Sequence, residues 1–165
     1  MTDTGVATTA DGLAAAGTHE ALAGCCASER WITEMERGRP FASAEAMLTR
    51  CEAAFDALGR EDWLQAFAAH SRIGAPRAGD ARGSAEQAGT ASASAEEMAA
   101  LAAGNERYQA RFGHVFLIRA SGLGAGEMLA ALEERLGHTP EQELTIAAAQ
   151  QREITRLRLR ALLTP

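Results

Sequence analysis

The chain contains no lysine: all sixteen of its basic residues are arginine. Coding bias in a GC-rich genome accounts for this more simply than a series of bidentate anion sites would. One chemical consequence follows, since catalysis through a lysine Schiff base is excluded. Aromatic residues are scarce at 5% and β-branched residues are sparse, while Ala, Leu, Glu and Arg dominate. That balance favours helix over strand wherever the apolar pattern agrees. No stretch approaches ~18 uninterrupted apolar residues, and the first residues do not form a basic segment followed by an apolar core. The expectation is a soluble, cytoplasmic protein with no membrane partner.

The formal charge of −6 leaves no surplus for a concentrated basic face, so nucleic acid is not expected as a partner either. Cysteine is also limited. Cys25, Cys26 and Cys51 are odd in number and the first two are adjacent, which suits neither a disulfide framework nor a Cys-x-x-Cys metal pair. Reduced, structural thiols in an intracellular protein are expected. There is no P-loop, no Gly-x-Gly-x-x-Gly after a strand, no His-Glu-x-x-His and no Gly-x-Ser-x-Gly. His19, His114 and His138 are scattered, with no carboxylate at a metal-ligand spacing. No metal and no cofactor are expected.

What is present is helical periodicity. The length suits one domain with a sizeable core, and we expect an all-α, single compact helical-bundle domain of about seven to nine helices. Residues 1–17 are small and polar and are expected to be mobile, leaving 18–165 as the helical domain. Thr18 and Ser28 read as N-caps of two short helices, the second with Trp31, Ile32 and Met35 inward. Ser43 opens a longer helix carrying Met47, Leu48, Cys51, Phe55 and Leu58, with Gly59 as its stop. From Asp62 another helix, with Trp63, Leu64, Phe67 and Ala68 as apolar positions, delivers His70 at its C-terminal end. The negative pole of a helix dipole lies there and raises a histidine pKa.

Residues 71–93 hold four glycines, one proline and three arginines, and predict a long loop or a loop with a short helix near residues 85–89. Ser94-Ala95-Glu96-Glu97 is a capping box launching a helix to Gly113. Residues 114–120 then read as an extended apolar connection. A helix from the glycines at 122–126 to about Leu136 follows, and Thr139-Pro140-Glu141-Gln142 starts the last one.

Four features could carry chemistry on residue type alone. His70 stands at a helix end beside a loop, where capping competes with catalysis as its role. Glu86-Gln87 sits in the Gly-rich loop, where a solvated pair is the plainer reading. Arg156, Arg158 and Arg160 alternate with leucine near the end of the last helix. Positions two apart on a helix point in different directions, so at least one arginine should turn to the packed side and need an anionic partner, a carboxylate or a substrate. The extended segment at 116–120 would offer backbone groups to a ligand.

Several motifs in one order add to this: Ser28-x-x-Trp31, Arg39-Pro40-Phe41, His70-x-Arg72-Ile73-Gly74, Glu86-Gln87-Ala88-Gly89, Asn105-x-x-Tyr108-x-x-Arg111-Phe112-Gly113-x-x-Phe116, and Ile154-x-x-Leu157-Arg158-Leu159. Together they resemble the 2-oxo-4-hydroxy-4-carboxy-5-ureidoimidazoline (OHCU) decarboxylases from about Leu22 to Leu163. The resemblance implies an all-helical, homodimeric, cofactor-free lyase of urate degradation that converts OHCU to (S)-allantoin. It assigns catalysis to His70 and Glu86. It assigns substrate binding to Ser71, Gly83, Ser84, Ala85, Gln87, Phe116, Leu117, Ile118, Arg119, Ala120 and Arg158. A diverged, non-catalytic ureide-binding domain is the alternative. Three positions depart from the family pattern: Ser71 replaces a proline, Gly83 stands where serine is common, and His114-Val115 replaces Phe-Pro. On the resemblance alone, restoring proline at 71 should leave the rate similar or raise it.

Overall fold

The computed structural model describes residues 9–164. Among them are nine α-helices and no β-strand: α1 (Ala10–Ala16), α2 (His19–Cys25), α3 (Glu29–Glu36), α4 (Ala44–Asp56), α5 (Arg60–Ala68), α6 (Ala81–Glu86), α7 (Ala95–Phe112), α8 (Ala125–Arg135) and α9 (Pro140–Leu163). A 3-10 turn, Ala88–Thr90, follows α6. The described residues form two compact units, one up to Ala66 together with the chain from Arg152 onward, the other Phe67–Gln151.

In the first unit the caps stand where their side chains predict. The hydroxyls of Thr18, Ser28 and Ser43 accept the N–H groups of Ala21, Trp31 and Ala46, which satisfies helix-start donors that would otherwise lack partners. Leu22, Trp31, Ile32, Met35, Met47, Cys51 and Phe55 are buried. Trp31 and Trp63 each stack on Phe55, at centroid distances of 5.9 and 5.8 Å. The guanidinium of Arg152 lies over the Phe55 and Trp63 rings, 5.2 and 5.6 Å from their centroids.

Local structure differs from the sequence expectation in four places. Residues 10–16, in the segment expected to be mobile, form α1, capped by Thr9 with Leu13 and Ala16 buried; residues 1–8 of that segment lie outside the described residues. Gly59 stands just before α5 rather than ending α4, with Asp62 Oδ2 reaching back to accept the Gly59 N–H at 2.9 Å. Along α5 it is Ala66 that is buried, while Ala68 is exposed. The short helix of the long loop occupies Ala81–Glu86 rather than residues 85–89, since Asp80 caps it through the Gly83 N–H.

The second unit is organised around α7 and α8, whose facing side chains Leu101, Tyr108, Met128 and Leu132 pack with Ile73 and Phe116. The capping box predicted at Ser94 is present with both hydrogen bonds, and Gly113 ends α7 in the left-handed conformation, φ 78°. The 3-10 turn lies hard against the start of α8. A Cβ on Gly89 would sit 1.8 Å from the Leu123 carbonyl oxygen, a backbone atom with no room to retreat. Gly89→Ala is therefore expected to destabilise the fold by about 3 kcal/mol, the upper end of usual overpacking costs. Urea denaturation followed by circular dichroism measures this; an unchanged midpoint would contradict the close approach.

Candidate active site

The apolar face of α5 sets the position of His70. Trp63, Ala66 and Phe67 are buried, the helix stops at Ala68, and the His70 N–H closes a last turn onto the Phe67 carbonyl at 3.1 Å. The half-buried ring places Nε2 2.7 Å from Oε1 of Gln151, a fully buried residue of α9. An amide oxygen only accepts, so Nε2 carries the proton and the basic nitrogen of the neutral ring is Nδ1. Sequence reasoning missed Gln151. Its signal was a polar residue on the buried stripe of Ala147 and Ile154, at helical spacing from both.

The chain after His70 is pinned by side-chain amides. Buried Gln87 accepts the Gly74 N–H on Oε1 at 2.8 Å and donates from Nε2 to the Arg72 carbonyl at 3.1 Å. Asn105 donates from Nδ2 to the Ile73 carbonyl at 2.9 Å. Gln87 thus orders the loop through one donor and one acceptor, and its second N–H and second lone pair are the groups left to address a ligand. Glu86, the last residue of α6, is half-buried; Ser84 and Ala85 are exposed and Gly83 is buried.

Residues 115–120, within the segment expected to be extended, form neither helix nor strand. Phe116, Leu117 and Ala120 are buried, Ile118 is half-buried, and Arg119 is exposed with its N–H donated to Gln150 Oε1 at 2.8 Å. A charge cluster that sequence reasoning did not single out holds it. Arg135, buried on α8, donates from Nη1 to the Leu117 carbonyl at 2.6 Å and lies over the Phe116 ring at 4.6 Å. The carboxylate of fully buried Glu143 accepts from Arg135 Nε at 2.5 Å, from Arg135 Nη2, and from the Tyr108 hydroxyl at 2.5 Å. His138 Nδ1 lies 3.1 Å from its other oxygen. Burial first, and then the Glu143 hydrogen bond, push the Tyr108 hydroxyl far above its ordinary pKa, so it remains a donor. Glu143 gave no distinct sequence signal, because an acid in the first turn of a helix is already favoured by the dipole.

Among the alternating arginines, Arg156 pairs with a carboxylate of α4. It donates to both oxygens of Glu52, at 2.5 and 2.8 Å, and this hydrogen bonding holds the Glu52 carboxyl below its usual range. Arg158 is half-buried in the first unit and donates from Nη1 to the Gly24 carbonyl at 3.3 Å. The predicted catalytic and binding residues other than Arg158 all belong to the second unit. Cys25, Cys26 and Cys51 are buried. Burial pushes the Cys26 thiol up to about 11 and the Cys51 thiol higher still, which leaves both protonated and poorly nucleophilic near neutral pH. Among the described residues no group of three or more His, Cys, Asp or Glu side chains is placed to hold a metal ion. No described helix is long and apolar enough to cross a membrane.

Comparison with known proteins places this geometry in a family context. Residues 11–160 match the family model described as OHCU decarboxylase. The uric acid degradation bifunctional protein TTL of Arabidopsis thaliana is 40% identical over 142 residues, 82% of this chain and 44% of that protein. The chain therefore spans less than half the length of that relative. A crystal structure of an OHCU decarboxylase in the presence of (S)-allantoin superposes with a TM-score of 0.78 at 37% identity, covering 88% of this chain and 98% of the other. A crystal structure of (S)-allantoin synthase shares the fold, with a TM-score of 0.61 at 20% identity, covering 93% of this chain and 49% of the other.

Proposed function

The chain belongs to the OHCU decarboxylase family, and from that premise we propose that it converts OHCU to (S)-allantoin in urate degradation, as a cofactor-independent carboxy-lyase. The observation that carries the reading is the 2.7 Å contact between His70 Nε2 and buried Gln151, which directs a basic Nδ1 from a fixed ring.

As CO2 leaves C4 of OHCU, the electron pair of the broken bond forms C4=C5 while the C5=N π pair moves onto the ring nitrogen, which takes a proton from solvent, so the substrate supplies its own electron sink. His70 Nδ1 takes the proton of the 4-hydroxyl as the electrons move, and C5 is then protonated from one face, which sets the configuration of the product. Glu86 and the free valences of the Gln87 amide hold the ureido and ring nitrogens. The backbone of Phe116, Leu117, Ile118, Arg119 and Ala120 lines up donors and acceptors for the ring. Ser71, Gly83, Ser84 and Ala85 complete the loop side of the binding set. The family pattern, rather than any measured contact, adds Arg158 for an anionic oxygen. The same reading takes the protein to be a homodimer acting in the cytoplasm.

The test uses freshly generated OHCU. Purified protein should accelerate its loss and yield optically active allantoin, seen as a growing circular-dichroism signal. Decay no faster than in buffer would sink the proposal, and allantoin binding without turnover would instead favour a ureide-binding domain.

A further inference from the structure

We propose that Asp80 is a positioning residue whose carboxylate clasps the residue beside His70 to the start of the helix that carries Glu86. The inference rests on the decarboxylase reading for its kinetic consequences and on the structure alone for the clasp. Ser71 is buried, and its hydroxyl donates to Asp80 Oδ2 at 2.5 Å while accepting the Arg77 N–H at 3.0 Å. The other carboxylate oxygen, Oδ1, accepts the Gly83 N–H at 2.8 Å and so caps α6. One side chain thereby ties residue 71, next to the proposed base, to a short helix ending in Glu86. Neither carrier has other regular structure to fix it: His70 lies beyond the end of α5, and α6 has only six residues.

The clasp also makes two departures from the family pattern a single arrangement. A proline at 71 would restrain the backbone by its ring but has no hydroxyl to give Asp80 or to receive Arg77. At Gly83 a Cβ would lie 2.2 Å from Asp80 Oδ2 and 2.7 Å from its Cγ, so the carboxylate fills the space a serine side chain would need. Ser71, Asp80 and Gly83 are therefore mutually dependent. Restoring proline at 71 alone removes a partner from Asp80 and lowers the rate, against the expectation from resemblance.

The test compares Asp80→Ala, Asp80→Asn, Gly83→Ser and the double variant Asp80→Ala/Gly83→Ser in the full chain. Readouts are kcat and KM on OHCU, and hydrogen–deuterium exchange at the Arg77 and Gly83 amides. Asp80→Ala should lower kcat about tenfold, the scale of a modest misplacement of catalytic groups, and accelerate exchange at both amides. Asn is as good a cap as Asp and its amide can still bridge Ser71 and Gly83, so Asp80→Asn should stay close to wild type. Gly83→Ser should be impaired alone and improve when Asp80→Ala is added, a sign reversal that independent sites do not produce. Wild-type kcat in Asp80→Ala, or additive losses in the double variant, would overturn the clasp. Should the unaltered protein prove inactive on OHCU, the decarboxylase reading fails, and amide exchange decides the clasp: acceleration in Asp80→Ala supports it and no change refutes it. If Asp80→Ala does not fold, the same exchange readout in Gly83→Ser decides it in the same two ways.

Discussion

His70→Ala is expected to lower kcat on OHCU by about 100- to 10,000-fold, the range that a positioned general base contributes. The alanine removes the only basic nitrogen that the 2.7 Å Gln151 contact aims. Gln151 should show its own, smaller effect. Gln151→Leu keeps much of the volume but lets the ring rotate, and should cost kcat about tenfold without a matching rise in KM. Gln151→Glu sets a carboxylate beside Nε2, favours the imidazolium and raises the His70 pKa. Because the neutral ring is the working base, the acid limb of the pH dependence of kcat/KM should then move to higher pH. A wild-type rate in His70→Ala would remove the histidine from the mechanism. An unmoved acid limb in Gln151→Glu would mean that the buried amide does not govern the ring.

The second large effect concerns Glu143. Glu143→Gln leaves the buried Arg135 guanidinium with no compensating charge, and breaking one partner of such a pair typically costs about 3–5 kcal/mol. Replacing both partners, as Arg135→Met/Glu143→Leu, should recover much of that stability, since two apolar residues of similar volume need no compensation. Catalysis should not recover with it. The Leu117 carbonyl loses the Arg135 donor that fixes the extended segment, so KM for OHCU should stay raised in the stable double variant. Thermal unfolding and steady-state kinetics on the same samples separate the two effects. A double variant with both stability and KM restored would show that Arg135 serves packing alone.

Much of the architecture was legible in local chemistry. Thr18, Ser28, Ser43 and Ser94 carry side chains that satisfy backbone donors within three residues, so each announced a helix start without regard to the rest of the chain. The glycine at 113 ended α7 for an equally local reason, and the apolar spacing of Trp63 and Phe67 delivered His70 to a helix end. Asp62 and Asp80 show where local reading was incomplete. Both are caps recognisable in kind, but nearby glycines at 59 and 89 suggested other boundaries.

The sequence by itself determined that the chain is helical, where most helices start, that His70 stands at a helix end beside the loop holding Glu86, and that residues 114–120 form no helix, because each depends on side chains a few positions apart. Only the tertiary structure decided which polar groups act together. Gln151 meets His70 across 81 positions, and Glu143 meets Tyr108 across 35. The direction of a histidine's proton, or the worth of a buried carboxylate, depends on a partner brought near by packing. Hydrogen bonds and charges gain their strength from exclusion of water, and no local pattern specifies which distant side chains will share that exclusion.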